Sequence, residues 1–474
     1  MRQSYKSIQI HHQAEGMRMI SESAVQHLKS SVRGQTFCPG DAAYDAARTI
    51  PNAMVDRRPA LITRCSGAAD VIACVNFARE QDALVSVRGG GHSVAGKSVC
   101  DGGLMIDLSA MKGIRVNPAK KTVRAEPGLT LGEFDRETQA FGLATTMGTI
   151  SKTGISGLTL GAGWGHLHGK YGLALDNLIS LDVVTADGRL LTASATDNPD
   201  LFWGLRGSGG NLGIVTSLEY QLHDVGPVFA GGVLYPSSFT KQVLRFFRDW
   251  APTIPDELVT QVVSLTFPDL GRVFAIAGAY HGDLKKAEEV LQPLRSFGKP
   301  LLDIFQPMPY VQLQSMFDPF FPPGRMVYVK SNFFKTLDAE AGEVMDEFLA
   351  TCPSPHTFAG SEHWHGELTR VSANDTAFPH RDYPFNLIIW SQWEGAENSE
   401  KNIRWTREFW NAMKPFLIES SYGNYLSDEG EESARASYGT NYDRLVALKN
   451  KYDPTNLFRM NHNIKPAKAV QTVS

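Results

Sequence analysis

Residues 88–93 read Arg88-Gly89-Gly90-Gly91-His92-Ser93 and directly follow the apolar run Ala83-Leu84-Val85-Ser86-Val87. Three consecutive glycines let the backbone turn through dihedral angles that other residues avoid, and they leave its N–H groups uncovered. Such a loop is a good seat for a phosphate or pyrophosphate, and the nucleophilic imidazole of His92 follows at once. The stretch predicts either a cofactor-binding loop after a strand or a glycine-rich surface turn, and these six residues alone leave both open.

A second concentration of glycine lies between residues 148 and 172. Eight glycines fall within these 25 residues, whereas even spacing of the 43 glycines over 474 residues predicts about two. A region so poor in side chains presents its backbone to whatever lies beside it. We therefore expect it to face the same ligand as the 88–93 loop.

Length and composition set limits on the class of protein. A chain of 474 residues exceeds what one hydrophobic core usually covers, so we expect two or three domains. A hydrophobic content of 42%, a charged content of 20% and a net charge of −4 are ordinary for a globular protein and favour neither nucleic acid nor an anionic membrane as partner. No apolar run approaches the roughly 20 residues that a membrane helix needs. Met1–Gly16 is polar and lacks the apolar core of a signal peptide, which predicts a cytoplasmic protein.

The cysteines give no sign of a disulfide framework or a zinc site. Their number is odd and no two of them form a C-x-x-C pair, so we expect free thiols. They are Cys38, Cys65, Cys74, Cys100 and Cys352.

The order of elements predicts an α+β fold. Before residue 225, short strands at 60–63, 83–87, 104–108, 114–116, 122–125, 178–185 and 213–220 accompany helices at 66–81, capped by Ser66, and 131–141. After residue 225, longer strands at 258–267, 272–280, 326–330, 356–365 and 385–393 alternate with helices at 238–250, 283–297, 340–351 and 400–416. The second pattern indicates an antiparallel sheet with helices on one face. A turn-rich tail follows at 452–458.

Several segments together resemble the FAD-linked oxidases of the vanillyl-alcohol-oxidase type. They are the 88–93 loop, Gly154–Gly165, Lys170–Leu178, Asp200–Trp203 and Arg206–Val215. The tail from Tyr452 to Leu457, with Asn461 and Ile464, is similar to the C-terminal element of the berberine-bridge-enzyme-like subgroup. The matches follow one another in order over roughly residues 59 to 465.

The resemblance implies a domain organisation. It consists of an FAD-binding domain of the PCMH type, built of two α/β subdomains, with an inserted substrate domain of antiparallel sheet covered by helices. We expect the first part of the FAD domain at residues 1–222, the substrate domain at 223–424 and the returning C-terminal element at 425–474.

The resemblance also implies that His92 is joined covalently to the 8α-methyl carbon of FAD. Such a bond prevents loss of the cofactor and raises its redox potential. Many members of the subgroup have a second link through a cysteine, but here that position holds Ile150. We therefore expect the single link of the monocovalent bacterial and fungal members, and a less open site than doubly linked members have.

The remaining cofactor contacts are carried over position by position. The pyrophosphate is expected on the N–H groups of the 88–93 loop and on the stretch around Gly154. Ile155 matches the residue that controls oxygen access to the flavin, and its β-branched side chain favours an oxidase. The full predicted set is Arg88, Gly89, Gly90, Gly91, His92, Ser93, Gly148, Thr153, Gly154, Ile155, Gly157, Gly161, Gly163, Ile214, Val215, Asn461 and Asn463.

Oxidation of a C–OH or C–N group requires transfer of a hydride to flavin N5 and a base for the remaining proton. Tyr422-Gly423-Asn424-Tyr425 resembles the Tyr-x-Asn-Tyr motif of the subgroup, which makes Tyr422 the first candidate base and Tyr425 the second. A tyrosine serves as a base only if a neighbouring cation or donor depresses its pKa. In some relatives a carboxylate near the Phe378–Arg381 motif is the base, so Asp375 is a further candidate.

The segment Glu362–Gly366 resembles the strand that forms the floor of the substrate pocket. His363 and His365 share one face of a strand, but no third ligand is apparent, so we expect pocket or core histidines rather than a metal site. His166 and His168 either touch the flavin or only flank it. The aromatic residues Trp364, Trp390, Trp393, Phe333 and Phe334 suit a ligand pocket, but most of them are expected in the core of the sheet.

The functions that remain open differ in the fate of the electrons. The first is a flavoprotein oxidase, a monomer or homodimer, that oxidises a small organic substrate and reduces O2 to H2O2. The alternatives are a dehydrogenase with another acceptor, an oxidative cyclase of secondary metabolism and a flavin-binding module without activity. Gly161-Ala162-Gly163, with Asp182 about 20 residues later, partly matches the sequence motif of nicotinamide dinucleotide binding. However, His166 stands at the position of its third glycine and no clean strand precedes it, which disfavours a nicotinamide cofactor.

Overall fold

The computed structural model describes residues 20–427 and 430–467, so the polar Met1–Gly16 segment lies outside the described residues. Within the described ranges there are nineteen strands and fifteen α-helices. The strands are β1 (Gln35–Phe37), β2 (Leu61–Arg64), β3 (Val85–Arg88), β4 (Leu104–Asp107), β5 (Ile114–Asn117), β6 (Thr122–Ala125), β7 (Leu143–Ala144), β8 (Leu178–Val184), β9 (Leu190–Ser194), β10 (Ile214–Gln221), β11 (His223–Asp224), β12 (Val228–Pro236), β13 (Leu258–Phe267), β14 (Gly271–Tyr280), β15 (Leu302–Asp303), β16 (Gln306–Met308), β17 (Met326–Phe333), β18 (Phe358–His363) and β19 (Phe385–Trp393).

The helices cover the sheets and connect their strands. They are α1 (Glu22–Ser31), α2 (Tyr44–Arg48), α3 (Ala68–Gln81), α4 (Leu131–Gln139), α5 (Ile155–Leu160), α6 (His168–Tyr171), α7 (Pro199–Leu205), α8 (Thr240–Trp250), α9 (Ala287–Arg295), α10 (Tyr310–Ser315), α11 (Ala339–Ala350), α12 (Glu367–Arg370), α13 (Ser399–Met413), α14 (Glu431–Tyr438) and α15 (Tyr442–Tyr452). None of these helices has the length and hydropathy that a membrane crossing requires.

The first sheet positions the 88–93 loop. Its strand order is β1-β2-β4-β3, with β2, β4 and β3 parallel and β1 antiparallel to β2. Helix α3 covers it with Val71, Cys74 and Val75, one apolar face of the helix. The helix starts at Ala68 rather than at the predicted cap Ser66, because the Ser66 hydroxyl donates to Asp70 Oδ2 and Gly67 becomes the N-cap. The glycine loop leaves the carboxyl end of β3, as the sequence predicts.

The second sheet holds the other glycine-rich segment. Its five antiparallel strands follow the order β5-β6-β10-β8-β9. Helices α4, α5 and α7 contribute Phe134, Leu160 and Trp203 to the same core as this sheet. Helix α5 occupies residues that the sequence analysis left unassigned, and it directs the 161–165 turn toward the third sheet.

The third sheet is antiparallel throughout and has the order β15-β12-β14-β13-β18-β19-β17, with β16 also paired to β12. Helices α8, α9, α11 and α13 share one apolar core with it, including Phe247, Leu291, Met345 and Phe409. This arrangement confirms the predicted α+β class with helices on one face of a long antiparallel sheet. Strand β12 was missed because its apolar run shows no alternation and contains two glycines.

The C-terminal segment returns to the first half of the chain. Lys449 and Asp453 form a fully buried ion pair, with Nζ and Oδ2 2.7 Å apart. The Lys449 ammonium also donates to the carbonyl oxygens of Asn211 and Phe458, and Asp453 accepts from the N–H groups of Leu457 and Phe458. The tail predicted as turn-rich follows α15 and is fixed by this pair. The domain boundaries at 222 and 424 remain a prediction.

Candidate active site

A cavity of about 340 Å³ lies between the two glycine-rich segments and the face of the third sheet that is turned away from α8, α9, α11 and α13. Its volume falls within the range of about 300–1,000 Å³ that is typical of ligand pockets. Its lining extends from both glycine-rich segments to β13, β18 and β19.

One wall of the cavity is backbone, because the two glycine-rich segments pack directly on each other. A Cβ atom on Gly90 would lie 2.4 Å from the nitrogen of Gly154, and one on Gly89 would lie 2.5 Å from Ser156 Oγ. Gly91 has φ of +72°, which favours glycine over residues with a side chain. This bare wall fits a pyrophosphate group, since its N–H groups are not screened by side chains.

Most of the predicted cofactor residues line this cavity. Those on its wall are Gly89, Gly90, Gly91, His92, Ser93, Gly148, Thr153, Gly154, Gly157, Ile214, Val215 and Asn461.

Five predicted cofactor residues lie behind the wall: Arg88, Ile155, Gly161, Gly163 and Asn463. Arg88 Nη1 donates to the carbonyl oxygen of Ala47 at 2.7 Å. The side chain of Ile155 is fully buried in the core of the second sheet, so its placement does not support direct control of oxygen access. Gly161 packs tightly against the side chain of Asn424.

His92 and Ile150 both face the cavity. The His92 ring lies 6.5 Å from that of Trp390, measured between ring centroids. Burial lowers the pKa of His92, which keeps the imidazole neutral and able to act as a nucleophile.

The opposite wall is built by alternate residues of three neighbouring strands, since successive side chains of a strand point to opposite faces. Strand β13 contributes Gln261 and Val263, β18 contributes Phe358 and Glu362, and β19 contributes Trp390. Side chains on the other face of these strands point to the helix-covered side. There Leu387 joins the apolar core, and the His363 ring contacts Phe247.

Glu362 is a buried carboxyl group on the cavity wall, and the sequence analysis did not single it out. Its Oε1 accepts a hydrogen bond from the Tyr425 hydroxyl at 2.6 Å. Its Oε2 accepts from Trp364 Nε1 at 3.1 Å and from Asn386 Nδ2 at 3.0 Å. Burial raises the pKa of Glu362 to about 7, against the effect of these donors. The signal in the sequence was a carboxylate within a strand that the resemblance already placed at the pocket floor.

The two predicted catalytic tyrosines have different surroundings. Tyr422 Oη accepts hydrogen bonds from the N–H groups of Gly163 and Trp164, at 3.0 and 3.2 Å, and from Asn424 Nδ2 at 2.8 Å. Burial nevertheless raises its pKa to about 12, so the depressed pKa that a tyrosinate base requires is not found. Burial and the Glu362 carboxylate raise the pKa of Tyr425, which keeps it a hydrogen-bond donor.

The other candidate residues lie away from the cavity wall. Asp375 is exposed. The rings of His363 and His365 stack at 4.4 Å, and His168 is fully buried with Nδ1 2.9 Å from the carbonyl oxygen of Gly165. His166 is buried and stacks on Phe317.

The apparent nicotinamide fingerprint lacks the required geometry. The segment before Gly161 is the helix α5, whereas that motif requires a strand before its glycines. Asp182 forms an ion pair with Arg124.

Four of the five aromatic residues considered for the pocket are core residues, as expected. Trp364, Trp393, Phe333 and Phe334 are fully or almost fully buried. Trp390 lines the cavity.

Comparison with known proteins gives two matching family descriptions. Residues 59–194 match the FAD binding domain, and residues 421–465 match the berberine and berberine-like family. The chain is 33% identical to an FAD-linked oxidoreductase of Dictyostelium discoideum, over 93% of this chain and 97% of the relative. It is 30% identical to (R)-6-hydroxynicotine oxidase of Paenarthrobacter nicotinovorans, over 92% and 97% of the two chains.

Solved structures agree over the same extent. 6-Hydroxy-D-nicotine oxidase from Arthrobacter nicotinovorans superposes with a TM-score of 0.85 at 29% identity, covering 92% of this chain and 98% of the other. A chitooligosaccharide oxidase also reaches a TM-score of 0.85, at 25% identity, covering 94% of this chain and 100% of the other.

Proposed function

This chain belongs to the berberine-like family of FAD-linked oxidoreductases, and on that basis we propose that it is an oxidase that uses Glu362 as its proton acceptor. Its donor is a C–OH or C–N group of a small organic molecule. The observation that carries the proposal is the buried Glu362–Tyr425 pair, which lies on the cavity wall opposite the bare glycine wall.

The chain's own residues divide the work between cofactor and substrate. The loop 89–93 and the stretch around Gly154 would hold the pyrophosphate, and His92 would form the single covalent link. When bound, FAD accepts the hydride of the donor and returns both electrons to O2 as H2O2. Glu362 takes the O–H or N–H proton, because a carboxyl with a pKa of about 7 changes its charge near neutral pH.

Tyr425 and Tyr422 support this base in different ways. The Tyr425 hydroxyl donates to Glu362 and fixes the direction of its free lone pairs. The Tyr422 hydroxyl accepts hydrogen bonds from the backbone N–H groups of Gly163 and Trp164 and thereby positions the second glycine-rich segment. We assign proton acceptance to Glu362, with both tyrosines as positioning residues.

Flavin bleaching under anaerobic conditions tests the proposal. The holoprotein is mixed with a panel of alcohols, sugars, phenols and cyclic amines, and oxygen is then admitted while H2O2 is measured. We expect at least one class to bleach the flavin and oxygen to restore its colour with one equivalent of H2O2. Restoration that needs an added electron acceptor would identify a dehydrogenase, and no bleaching by any donor would overturn the proposed activity.

A further inference from the structure

The loop 148–151 borders the cavity and is held in place by residues from a distant part of the chain. Gln314, in α10, donates from Nε2 to the carbonyl oxygen of Gly148 at 3.0 Å. Asp318, just after this helix, accepts at Oδ1 from the N–H of Ser151 at 2.9 Å, and at Oδ2 from the Ser151 hydroxyl. These three hydrogen bonds fix both ends of the loop to one segment between α10 and β17.

Asp318 also acts on the imidazole of His92 through its charge. Burial lowers the pKa of His92, and within the described part of the chain the Asp318 carboxylate is the one charged side chain that raises it. Two cations belong to the same stretch as the imidazole: Arg88 donates to the carbonyl oxygen of Ala47, and Lys97 lines the cavity. Asp318 is therefore the group placed to stabilise a positive charge on His92.

A positive charge develops on His92 when its imidazole bonds to a carbon atom. In the link proposed above, a ring nitrogen bonds to the 8α carbon of FAD, and one C–H bond of that methyl group breaks. The electron pair of the C–H bond passes through the flavin to O2, which takes up the methyl proton and the imidazole N–H proton and becomes H2O2. Until the N–H proton leaves, the ring is an imidazolium, which a nearby carboxylate stabilises.

We propose that Asp318 is a positioning residue that promotes the attachment of flavin to His92. This inference rests on the proposed link through His92 and goes beyond it by assigning a residue to the formation of that link. Asp318 holds the loop beside the imidazole and supplies a negative charge to it. Because Asp318 lies 167 positions from Ser151, the attachment site is complete only after these two parts of the chain have folded together.

Attachment of FAD to the apoprotein tests the proposal. Apoprotein from riboflavin-starved cells is mixed with FAD in air, and covalent flavin is measured by fluorescence of the denatured protein band and by the mass gain of one FAD. Asp318→Asn keeps the shape of the side chain and an oxygen for the N–H of Ser151, but it removes the charge. We expect an unchanged Kd for FAD and attachment about 10- to 100-fold slower, because an opposite charge shifts a pKa by about one to two units.

The pH profile of attachment separates the charge of Asp318 from its shape. Attachment requires the neutral imidazole, so its rate rises as the pH increases through the pKa of His92. Loss of the negative charge lowers this pKa, so the midpoint of the rise should move to lower pH in Asp318→Asn. Ser151→Ala removes one hydrogen bond but keeps the charge, and its midpoint should equal that of the wild type.

The matched control is Asp346→Asn, which changes a partly buried aspartate of α11 away from the cavity wall. Its attachment rate and midpoint should equal those of the wild type. Asp318→Glu, which keeps the charge, should retain the wild-type midpoint and attach flavin faster than Asp318→Asn. A midpoint that moves in Asp318→Glu as far as in Asp318→Asn would overturn the role of the charge.

The outcomes distinguish this inference from the link on which it rests. Wild-type protein that binds FAD without forming any covalent flavin would refute both the link and the inference. Wild-type attachment with an unchanged rate and midpoint in Asp318→Asn would overturn the inference alone. Slow attachment at the wild-type midpoint, or loss of FAD binding in Asp318→Asn, would show that the residue acts through the shape of the loop only, which also contradicts the inference.

Discussion

At Glu362, burial and hydrogen bonding act on one carboxyl group in opposite directions. Burial dominates and raises its pKa to about 7, while three donors keep the ionised form accessible. A proton acceptor is most effective when its pKa is close to the working pH. The residue is thus matched to accept a proton near neutrality, which neither tyrosine is.

Replacement of Glu362 by glutamine tests this role. The amide keeps the shape but cannot accept the proton, so we expect flavin reduction to slow by about 10²- to 10⁴-fold. In the wild type the rate should rise as the pH increases through about 7, because the carboxylate is the active form, and this rise should disappear in Glu362→Gln. Stopped-flow bleaching across pH 5 to 9 measures both effects.

The matched control is Glu367→Gln, which replaces an exposed carboxylate that pairs with Arg370. Its rate and pH profile should equal those of the wild type. A Glu362→Gln variant with an unchanged profile would show that another group takes the proton.

The proposed covalent link through His92 can be tested by asking whether the flavin remains attached after denaturation. We expect acid-precipitated wild-type protein to stay yellow and His92→Ala protein to release all of its flavin, since Ile150 offers no second nucleophile. The measurement is flavin absorbance in the pellet and supernatant, with His356→Ala as the control histidine. Flavin that stays bound to His92→Ala would contradict a single link.

At the scale of elements, the two glycine-rich segments form the cavity wall only because their backbones touch. Gly90 and Gly154 each exclude a Cβ atom on the other, with distances of 2.4 and 2.3 Å to the facing nitrogen. Neither segment can therefore shift independently. The loop after β3 and the start of α5 behave as one unit of the site.

Gly90→Ala should separate these segments. The added methyl meets backbone, which cannot rotate away, so we expect a loss of stability of roughly 1–3 kcal/mol and loss of most of the bound flavin. The thermal unfolding midpoint and the flavin-to-protein absorbance ratio report the two effects. Gly226→Ala is the control, because a Cβ there meets no atom within 4 Å, and a wild-type flavin content in Gly90→Ala would argue against the close contact.

The elements themselves were largely predictable. The long strands β13 and β19 are predicted with their observed bounds. Helix α5 and strand β12 were missed because both contain glycines that weaken the local pattern, and their conformation depends on the surfaces they pack against. The strand predicted at 356–365 is too long: β18 ends at His363, so His365 lies beyond it.

At the scale of the whole molecule, buried charged side chains join segments that are distant in sequence. Arg381 makes a two-point bond to Asp176, with nitrogen–oxygen distances of 2.7 and 2.9 Å. Lys449 and Asp453 tie the last helix to the tail and, through Asn211, to the first half of the chain. The tail residue Asn461 reaches the cavity as a result.

Lys449→Met should destabilise the molecule strongly. It leaves the Asp453 carboxylate buried without its cation, and breaking a buried pair costs about 3–5 kcal/mol of the free energy of unfolding. Lys451→Met, in the same helix, removes a surface pair with Asp200 and should cost at most about 1 kcal/mol. Urea unfolding of both variants makes the comparison, and equal effects would show that burial does not govern the Lys449 pair.

The sequence alone determined the cofactor class, the backbone wall and the α+β architecture, because these depend on local glycine patterns, on periodicity and on ordered motifs. Only the tertiary structure brought Glu362 to Tyr425, 63 positions away. The proposed base depends on such contacts, because burial and neighbouring side chains set the pKa of a carboxyl group.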